Sequence, residues 1–198
     1  MIHSSDSIFW HNVDSKSVNS AFIWDTIRSR SNPPIWLSIV WHKFSIPKCS
    51  FTLWLALKGR LLTKDRMRAL RMNTDLKCLL CSNAIESHDH LFGSCTYISD
   101  ILKNSTFSFV GVWNCYTNGL VLLNRPHGTR KLVGLLYFAI TIFLTWKERN
   151  ARYHDSSHNT PATVTCILVK RMLREKLHSC KSFKDAILRD PNITLDLY

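Results

Sequence analysis

Residues 78–95 read CLLCSNAIESHDHLFGSC, and this stretch contains three of the seven cysteines of the chain and two of its histidines. Cys78 and Cys81 are separated by two residues, so one tight turn can direct both sulfurs at a single point. A histidine and Cys95 follow, which gives C-x2-C-x8-H-x4-C when the histidine is His90. Three thiolates and one imidazole suit a tetrahedral structural Zn²⁺. Four protein ligands leave no position for water, so this site implies no catalytic role.

The spacing does not decide which histidine would bind the metal. His88 and His90 are both within reach of the cysteines. On a loop or strand their side chains would point the same way, whereas on a helix they would diverge. The alternative is a chance grouping of buried free thiols and a histidine. The H-x4-C that follows the cysteine pair argues against chance.

The same stretch resembles a known family. After Cys78-x-x-Cys81, the phrase Glu86-x-x-x-His90-Leu91-Phe92-x-x-Cys95 is similar to the zinc-binding domain downstream of the polymerase in plant LINE-type reverse transcriptases. The resemblance covers about residues 35–105 and, more loosely, residues 7–30. It implies Cys78, Cys81, His90 and Cys95 as the ligands, because the family's histidine is followed by Leu-Phe. Further residues that agree with it are Trp36, Trp41, Ile46-Pro47-Lys48, Phe51-x-x-Trp54-Leu55-Ala56 and Arg60-Leu61-Leu62-Thr63-x-Asp65.

Composition indicates an intracellular protein with a basic surface. The 198 residues are 45% apolar, enough for a core, and the cysteine count of seven is odd, as expected for metal binding rather than a disulfide framework. No signal peptide is visible at the N-terminus, so we expect the nucleus or cytoplasm, not secretion. The formal net charge of +12 favours a polyanionic partner, although it also fits simple solubility.

The pattern of apolar residues predicts a mainly α-helical fold with a small CCHC zinc knuckle and a C-terminal helical hairpin. We predict an N-terminal helical segment over 1–34, the zinc-binding domain over 35–105, a linker over 106–130 and a C-terminal helical region over 131–198. Helices are expected near 16–30, 35–44, 47–60, after Thr63, near 97–102, 132–146 and 161–188. In the helix over 47–60, the expected apolar stripe contains Phe51, Trp54, Leu55 and Lys58.

Residues 132–146 are almost uninterruptedly apolar and raise the question of a membrane span. Fifteen residues rise only about 22 Å as a helix, short of the roughly 30 Å hydrocarbon core. We therefore expect a buried helix and no membrane span.

A basic segment leads into the cysteine pair. We predict that it contacts the phosphates of RNA or DNA, beside the zinc site, through Lys64, Arg66, Arg68, Arg71 and Lys77. The alternative is an ordinary solvated face. Glu86 is expected to orient a ligand or the loop, since carboxylates commonly position ligating imidazoles.

Catalytic signatures are absent from the sequence. The chain has no Asp-Asp pair for a polymerase, no gathered acidic residues for an RNase H, and no phosphate-binding loop, nucleophile elbow or H-E-x-x-H helix. We expect a non-catalytic, zinc-dependent nucleic-acid-binding module without a small-molecule substrate. The alternatives are a structural or protein-interaction module, or a retroelement remnant without a selected function.

Overall fold

The computed structural model describes residues 9–10, 13–14, 19–28, 32, 34, 36–105 and 128–180. Within this part the protein is mainly α-helical, as predicted. The chain divides into two compact units, Met1–Pro34 and Ile35–Tyr198. Most of the predicted linker, up to residue 127, and the end of the last predicted helix, from residue 181, lie outside the described residues. The predicted division at the linker therefore stays a prediction.

The first unit contains a short strand pair and one helix. Strands β1 (Phe9–Trp10) and β2 (Val13–Asp14) pair in antiparallel fashion. Helix α1 spans Ser20–Ile27 and is shorter than the predicted 16–30. The side chain of Asn19 caps it by accepting a 2.9 Å hydrogen bond from the Phe22 N–H. None of its residues is buried.

The second unit is built around one long helix. Its elements are α2 (Trp36–Val40), α3 (Pro47–Leu57), α4 (Lys64–Ala69), a π-helix (His90–Ser94), α5 (Thr96–Lys103), α6 (Thr129–His154) and α7 (Ala162–Ser179). Helix α6 packs against α2, α3, α5 and α7. Its central residues, from Val133 to Ile142, are all buried and join a single hydrophobic core with the other helices.

Helix α6 is longer than its apolar stretch suggested. Its 26 residues rise about 39 Å, and it is apolar enough to cross a membrane by length and composition. Length therefore does not exclude a span, contrary to the expectation from residues 132–146. In the protein, 67% of its most apolar window is buried among the other elements, which is the environment of a core helix.

Helix α3 begins at Pro47 and ends at Leu57, and the predicted apolar stripe is correct only in part: Trp54 and Leu55 are half-buried and pack against the core. Its inward residues are Cys49, Leu53, Ala56 and Leu57, whereas Phe51 is 52% exposed and Lys58 is exposed. Apolar residues occur on most sides of this helix, so its sequence does not determine which side faces inward. Packing against α6 selects the Leu53 side.

Candidate metal centre

The cysteine pair lies on a turn between two short antiparallel segments. The Cys78 N–H donates to the Ala84 carbonyl at 2.8 Å, and the Glu86 N–H donates to the Leu76 carbonyl at 2.8 Å. Between them, Ser82 adopts a left-handed conformation with φ of 57°, and its N–H donates to the Cys78 carbonyl at 2.9 Å. The chain therefore reverses tightly around Cys78 and Cys81.

The histidine and the third cysteine lie at the two ends of a wide helical turn. In the π-helix His90–Ser94 the hydrogen bond spans five residues, and the Cys95 N–H donates to the His90 carbonyl at 2.7 Å. Because the turn is wider than an α-helical one, it brings the His90 ring and the Cys95 sulfur to the same centre. Leu91 and Phe92 point into the core and anchor this turn.

Four potential ligand atoms converge at this point. The sulfurs of Cys78, Cys81 and Cys95 and a ring nitrogen of His90 all lie within 4.8 Å of one another. The Cys78 and Cys95 sulfurs are 3.9 Å apart, and the Cys81 sulfur is 3.2 Å from His90 Nε2. A tetrahedral Zn²⁺ would place two sulfurs about 3.8 Å apart and a sulfur and a nitrogen about 3.5 Å apart. The four side chains therefore form a candidate metal site whose donor set and dimensions fit zinc.

The site combines buried and accessible ligands. Cys78 and Cys95 are buried, whereas Cys81 and His90 are half-buried. Hydrogen bonding from the Cys95 thiol, together with the N–H groups of Cys81 and Leu80, lowers the pKa of Cys78 to about 5. The shared hydrogen bond with Cys78, followed by burial, raises the pKa of Cys95 above its ordinary value. A divalent cation would favour the thiolate form of both cysteines.

The two histidines have different environments. His90 directs Nε2 at the cluster, and its Nδ1 lies 3.3 Å from the Ser94 hydroxyl. His88 is buried outside the cluster, with Nδ1 3.3 Å from the Thr63 hydroxyl and its ring next to Phe92. Burial lowers the pKa of His88 below its ordinary value. The cluster therefore contains His90 rather than His88.

Glu86 holds the loop rather than the histidine. It is fully buried, and its Oε1 accepts hydrogen bonds from the Lys64 N–H at 3.0 Å and from Arg149 at 2.7 and 3.0 Å. Its Oε2 lies 3.4 Å from the Leu79 N–H. Thr63 precedes α4 as predicted, but its side chain does not cap the helix. The Glu86 carboxylate instead accepts the hydrogen bond from the first N–H of the helix, that of Lys64.

Helix α6 supplies two arginines to the cysteine loop. Arg149 is 1% exposed, pairs with Glu86, and lies over the rings of Trp146 and Tyr153. Arg152 donates from one nitrogen to the carbonyls of Leu79 and Leu80, both at 3.2 Å. These carbonyls belong to the two residues between Cys78 and Cys81, so α6 holds the turn that carries the first two ligands.

Glu148 keeps Arg152 in place. Its carboxylate pairs with Arg152 at 2.7 Å and accepts hydrogen bonds from the Thr160 N–H at 2.9 Å and from His158. Glu148, Arg149 and Arg152 were not among the site residues predicted from the sequence. The available signal was the presence of three charged residues where a largely buried helix approaches its end.

The five predicted phosphate-contacting residues occupy different environments. Lys64 is 5% exposed, and its ammonium donates to the Lys77 carbonyl at 2.7 Å. Arg66 is half-buried and donates to the Gly59 carbonyl. Arg68, Arg71 and Lys77 have exposed side chains. Three of the five cations are thus on the surface, where Arg68 donates to the Thr74 carbonyl at 3.3 Å. Lys64 and Arg66 are more buried and also bond to backbone carbonyls.

Comparison with protein families supports the zinc assignment. A family described as zinc-binding in reverse transcriptase matches residues 17–101, less than half of the chain. The match contains all four cluster residues and Glu86 but ends before α6. It concerns the zinc-binding part of a reverse transcriptase and not the catalytic domain. No curated protein and no solved structure matches the chain.

Proposed function

We propose that Cys78, Cys81, His90 and Cys95 bind one structural Zn²⁺, and that the protein is a non-catalytic module which binds nucleic acid next to this site. The observation that carries the metal assignment is the convergence of four soft donor atoms within 4.8 Å, in a segment that matches a zinc-binding family. With four protein ligands, the zinc would keep no open position for a reacting water. Its contribution would be to stabilise the fold.

The metal assignment can be tested by replacing one ligand. Cys95→Ser is expected to reduce zinc from one ion per chain to a small fraction and to destabilise the fold, because three ligands do not close the tetrahedron. Metal content of the purified protein and its thermal midpoint provide the readouts. Cys180→Ser is the matched control, since Cys180 is half-buried and lies outside the cluster. Full zinc occupancy in Cys95→Ser would refute the ligand set.

Nucleic-acid binding is proposed for a surface that we call the basic surface, formed by Arg68, Arg71 and Lys77. These exposed cations are near the metal site in the chain, because Lys77 directly precedes Cys78 and the Lys64 N–H at the start of α4 is bonded to Glu86. The net charge of +12 provides long-range attraction for a polyanion. The matched family is described as zinc-binding in reverse transcriptase, an enzyme that copies a nucleic-acid template. We propose that the chain originates from a plant LINE-type retroelement.

The test is a titration with single-stranded RNA at several salt concentrations. Affinity is expected to fall with a log–log slope of roughly 0.7 for each neutralised phosphate. Removing three charges with Arg68→Ala, Arg71→Gly and Lys77→Ala should reduce that slope by about 2. Arg71 has φ of 61°, a conformation that glycine adopts readily, so Arg71→Gly removes a charge without straining the backbone.

A matched control removes three exposed cations elsewhere, with Lys103→Ala, Lys147→Ala and Arg171→Ala. This control should keep most of the slope. Equal losses in both triple variants would mean that net charge, and not the basic surface, attracts the RNA. Binding unaffected by either triple variant, or no binding at all, would refute nucleic-acid binding by the basic surface.

A further inference from the structure

A second basic region, next to the basic surface, also exposes aromatic rings. Residues 36–64 contain no aspartate or glutamate but five basic residues, Lys43, Lys48, Lys58, Arg60 and Lys64. The same segment contains five aromatic residues, Trp36, Trp41, Phe44, Phe51 and Trp54. This segment therefore has an excess of positive charge beside large apolar surfaces, and of its cations Lys64 lies 3.7 Å from the Asp75 carboxylate.

The aromatic rings and the cations are in contact. The Phe51 ring lies 5.7 Å from the Trp54 ring, centroid to centroid, and the Arg60 guanidinium lies 5.7 Å from the Trp54 ring. The Lys58 ammonium is 4.7 Å above the Trp36 ring. Phe51 is 52% exposed, and the side chains of Lys58 and Arg60 are exposed. Within the described residues neither cation has an acidic partner.

The core accounts for only part of this arrangement, because Trp36 and Trp54 are half-buried and pack against it, whereas Phe51 is exposed. Helix α3 buries Leu53, Ala56 and Leu57 against the rest of the second unit, whereas Phe51 points outward on the other side. An exposed phenylalanine next to a half-buried tryptophan leaves ring surface in water, which costs free energy unless a ligand covers it.

We propose that Trp36, Phe51, Trp54, Lys58 and Arg60, which we call the stacking surface, bind unpaired bases of a single-stranded nucleic acid. Aromatic rings offer faces for base stacking, and a guanidinium plane such as that of Arg60 can continue the stack. The neighbouring cations would neutralise the phosphates that accompany each base. The inference rests on the proposed function and specifies its ligand: a strand with accessible bases rather than a duplex.

The two surfaces are connected through the loop after α3. Arg66 on α4 donates to the carbonyl of Gly59, which lies between Lys58 and Arg60. The loop that carries Arg60 is therefore bonded to α4, the helix that also carries Arg68 of the basic surface. A protein partner would have to supply carboxylates for Lys58 and Arg60, so the charge favours a polyanion.

The primary test compares two ligands that differ only in their bases. The full-length, zinc-loaded protein is titrated with an oligouridylate of about twelve nucleotides and with an abasic oligomer of the same length. We expect Phe51→Ala to weaken binding of the oligouridylate about fivefold or more and to leave binding of the abasic oligomer unchanged. Ile167→Ala is the matched control, because Ile167 is 65% exposed on α7, away from this segment.

A second variant separates stacking from charge. Arg60→Lys keeps the positive charge but removes the planar guanidinium, so it should weaken binding of the oligouridylate while the salt slope stays the same. Circular dichroism of each variant confirms that it is folded.

The outcomes distinguish this inference from the proposed function. If the wild-type protein binds both oligomers equally with a clear salt slope, phosphate binding stands and base stacking is refuted. Base stacking is also refuted if Phe51→Ala and Ile167→Ala both bind the oligouridylate as tightly as the wild type does. A protein partner would then be the better explanation of the exposed rings. If the wild type binds neither oligomer, the proposed function fails as well.

Discussion

Glu86 is the residue at which the metal loop, α4 and α6 meet. Its buried carboxylate accepts hydrogen bonds from two groups of Arg149 and from the backbone of Lys64. Transferring two charged groups from water into the protein interior costs free energy. These hydrogen bonds offset that cost by giving the buried charges partners. The pair joins the metal loop directly to α6.

Removal of the Glu86 charge should be strongly destabilising. In Glu86→Gln the Arg149 guanidinium would stay buried without a counter-charge, and we expect the free energy of unfolding to fall by about 3 to 5 kcal/mol. Chemical denaturation with excess zinc measures this change. Glu175→Gln, at an exposed pair with Arg171, should stay within about 0.5 kcal/mol of the wild type. Similar values for both variants would contradict this role of Glu86.

Glu148 should make stability depend on acidic pH. Burial raises its pKa, but hydrogen bonds from Arg152, Thr160 and His158 outweigh burial and lower the pKa below its ordinary value. The folded state therefore binds a proton less readily than the unfolded chain. The contribution of Glu148 is present above the unfolded pKa of about 4.3 and is lost as the pH falls through the folded pKa.

The measurement is the free energy of unfolding of the wild type and of Glu148→Gln between about pH 6 and pH 3. We expect the wild type to be more stable at the upper end and the two proteins to converge at the lower end. Glu148→Gln lacks the titrating carboxylate, so the pH-dependent part of the difference reports Glu148 together with the groups that it contacts. A constant difference across this range would show that its charge is not the cause.

At the scale of elements, α6 acts as the support of the metal loop. The family match ends at residue 101, yet Arg149 and Arg152 contact the loop from more than 40 residues further along the chain. The boundary of the sequence family is thus not the boundary of the folded unit. Helices α5 and α7 complete this arrangement, since the Tyr97 hydroxyl bonds to Thr165 at 2.6 Å.

Loss of the Arg152 contacts should weaken zinc binding without removing a ligand. Arg152→Met keeps much of the side-chain packing but frees the carbonyls of Leu79 and Leu80. We expect zinc affinity to fall about tenfold or more, as for other groups that orient ligands. Competition with a chromophoric chelator measures the affinity, and Arg171→Met, at an exposed position of α7, is the control. Unchanged affinity in Arg152→Met would mean that the turn positions its cysteines unaided.

At the scale of the whole molecule, the metal site and the helices share one core. Cys78 and Cys95 belong to the same buried cluster as the central residues of α6. Loss of the metal would therefore loosen the helical unit and not only the loop. The core is continuous from α2 to α7 within the described residues.

Chelation should lower the stability of the entire second unit. With zinc at about a thousand times its dissociation constant, removal is expected to lower the thermal midpoint by about 8 to 16 °C. Hydrogen exchange should show that protection falls in the central residues of α6 together with the metal loop. If hydrogen-exchange protection in α6 stayed at its original level after chelation, the metal loop would unfold independently of the helices.

The features that depend on local spacing could be predicted from the sequence. The match to a zinc-binding family of reverse transcriptases and the mainly helical fold are confirmed, and the pattern C-x2-C-x8-H-x4-C named the four residues whose donor atoms converge. These features are predictable because ligand spacing and turn geometry involve residues within eighteen positions of each other. Nucleic-acid binding and the ligand roles stay predictions.

Only the tertiary structure decided which charged and apolar groups are buried. Lys64 was predicted to contact phosphate but is buried, and its ammonium group donates a hydrogen bond to the Lys77 carbonyl. The inward side of α3 is chosen by α6, and Glu86 pairs with an arginine 63 residues away. Such contacts join segments distant in the chain, and local periodicity carries no information about them. Their physical origin is the requirement that every charge buried between packed elements finds a partner.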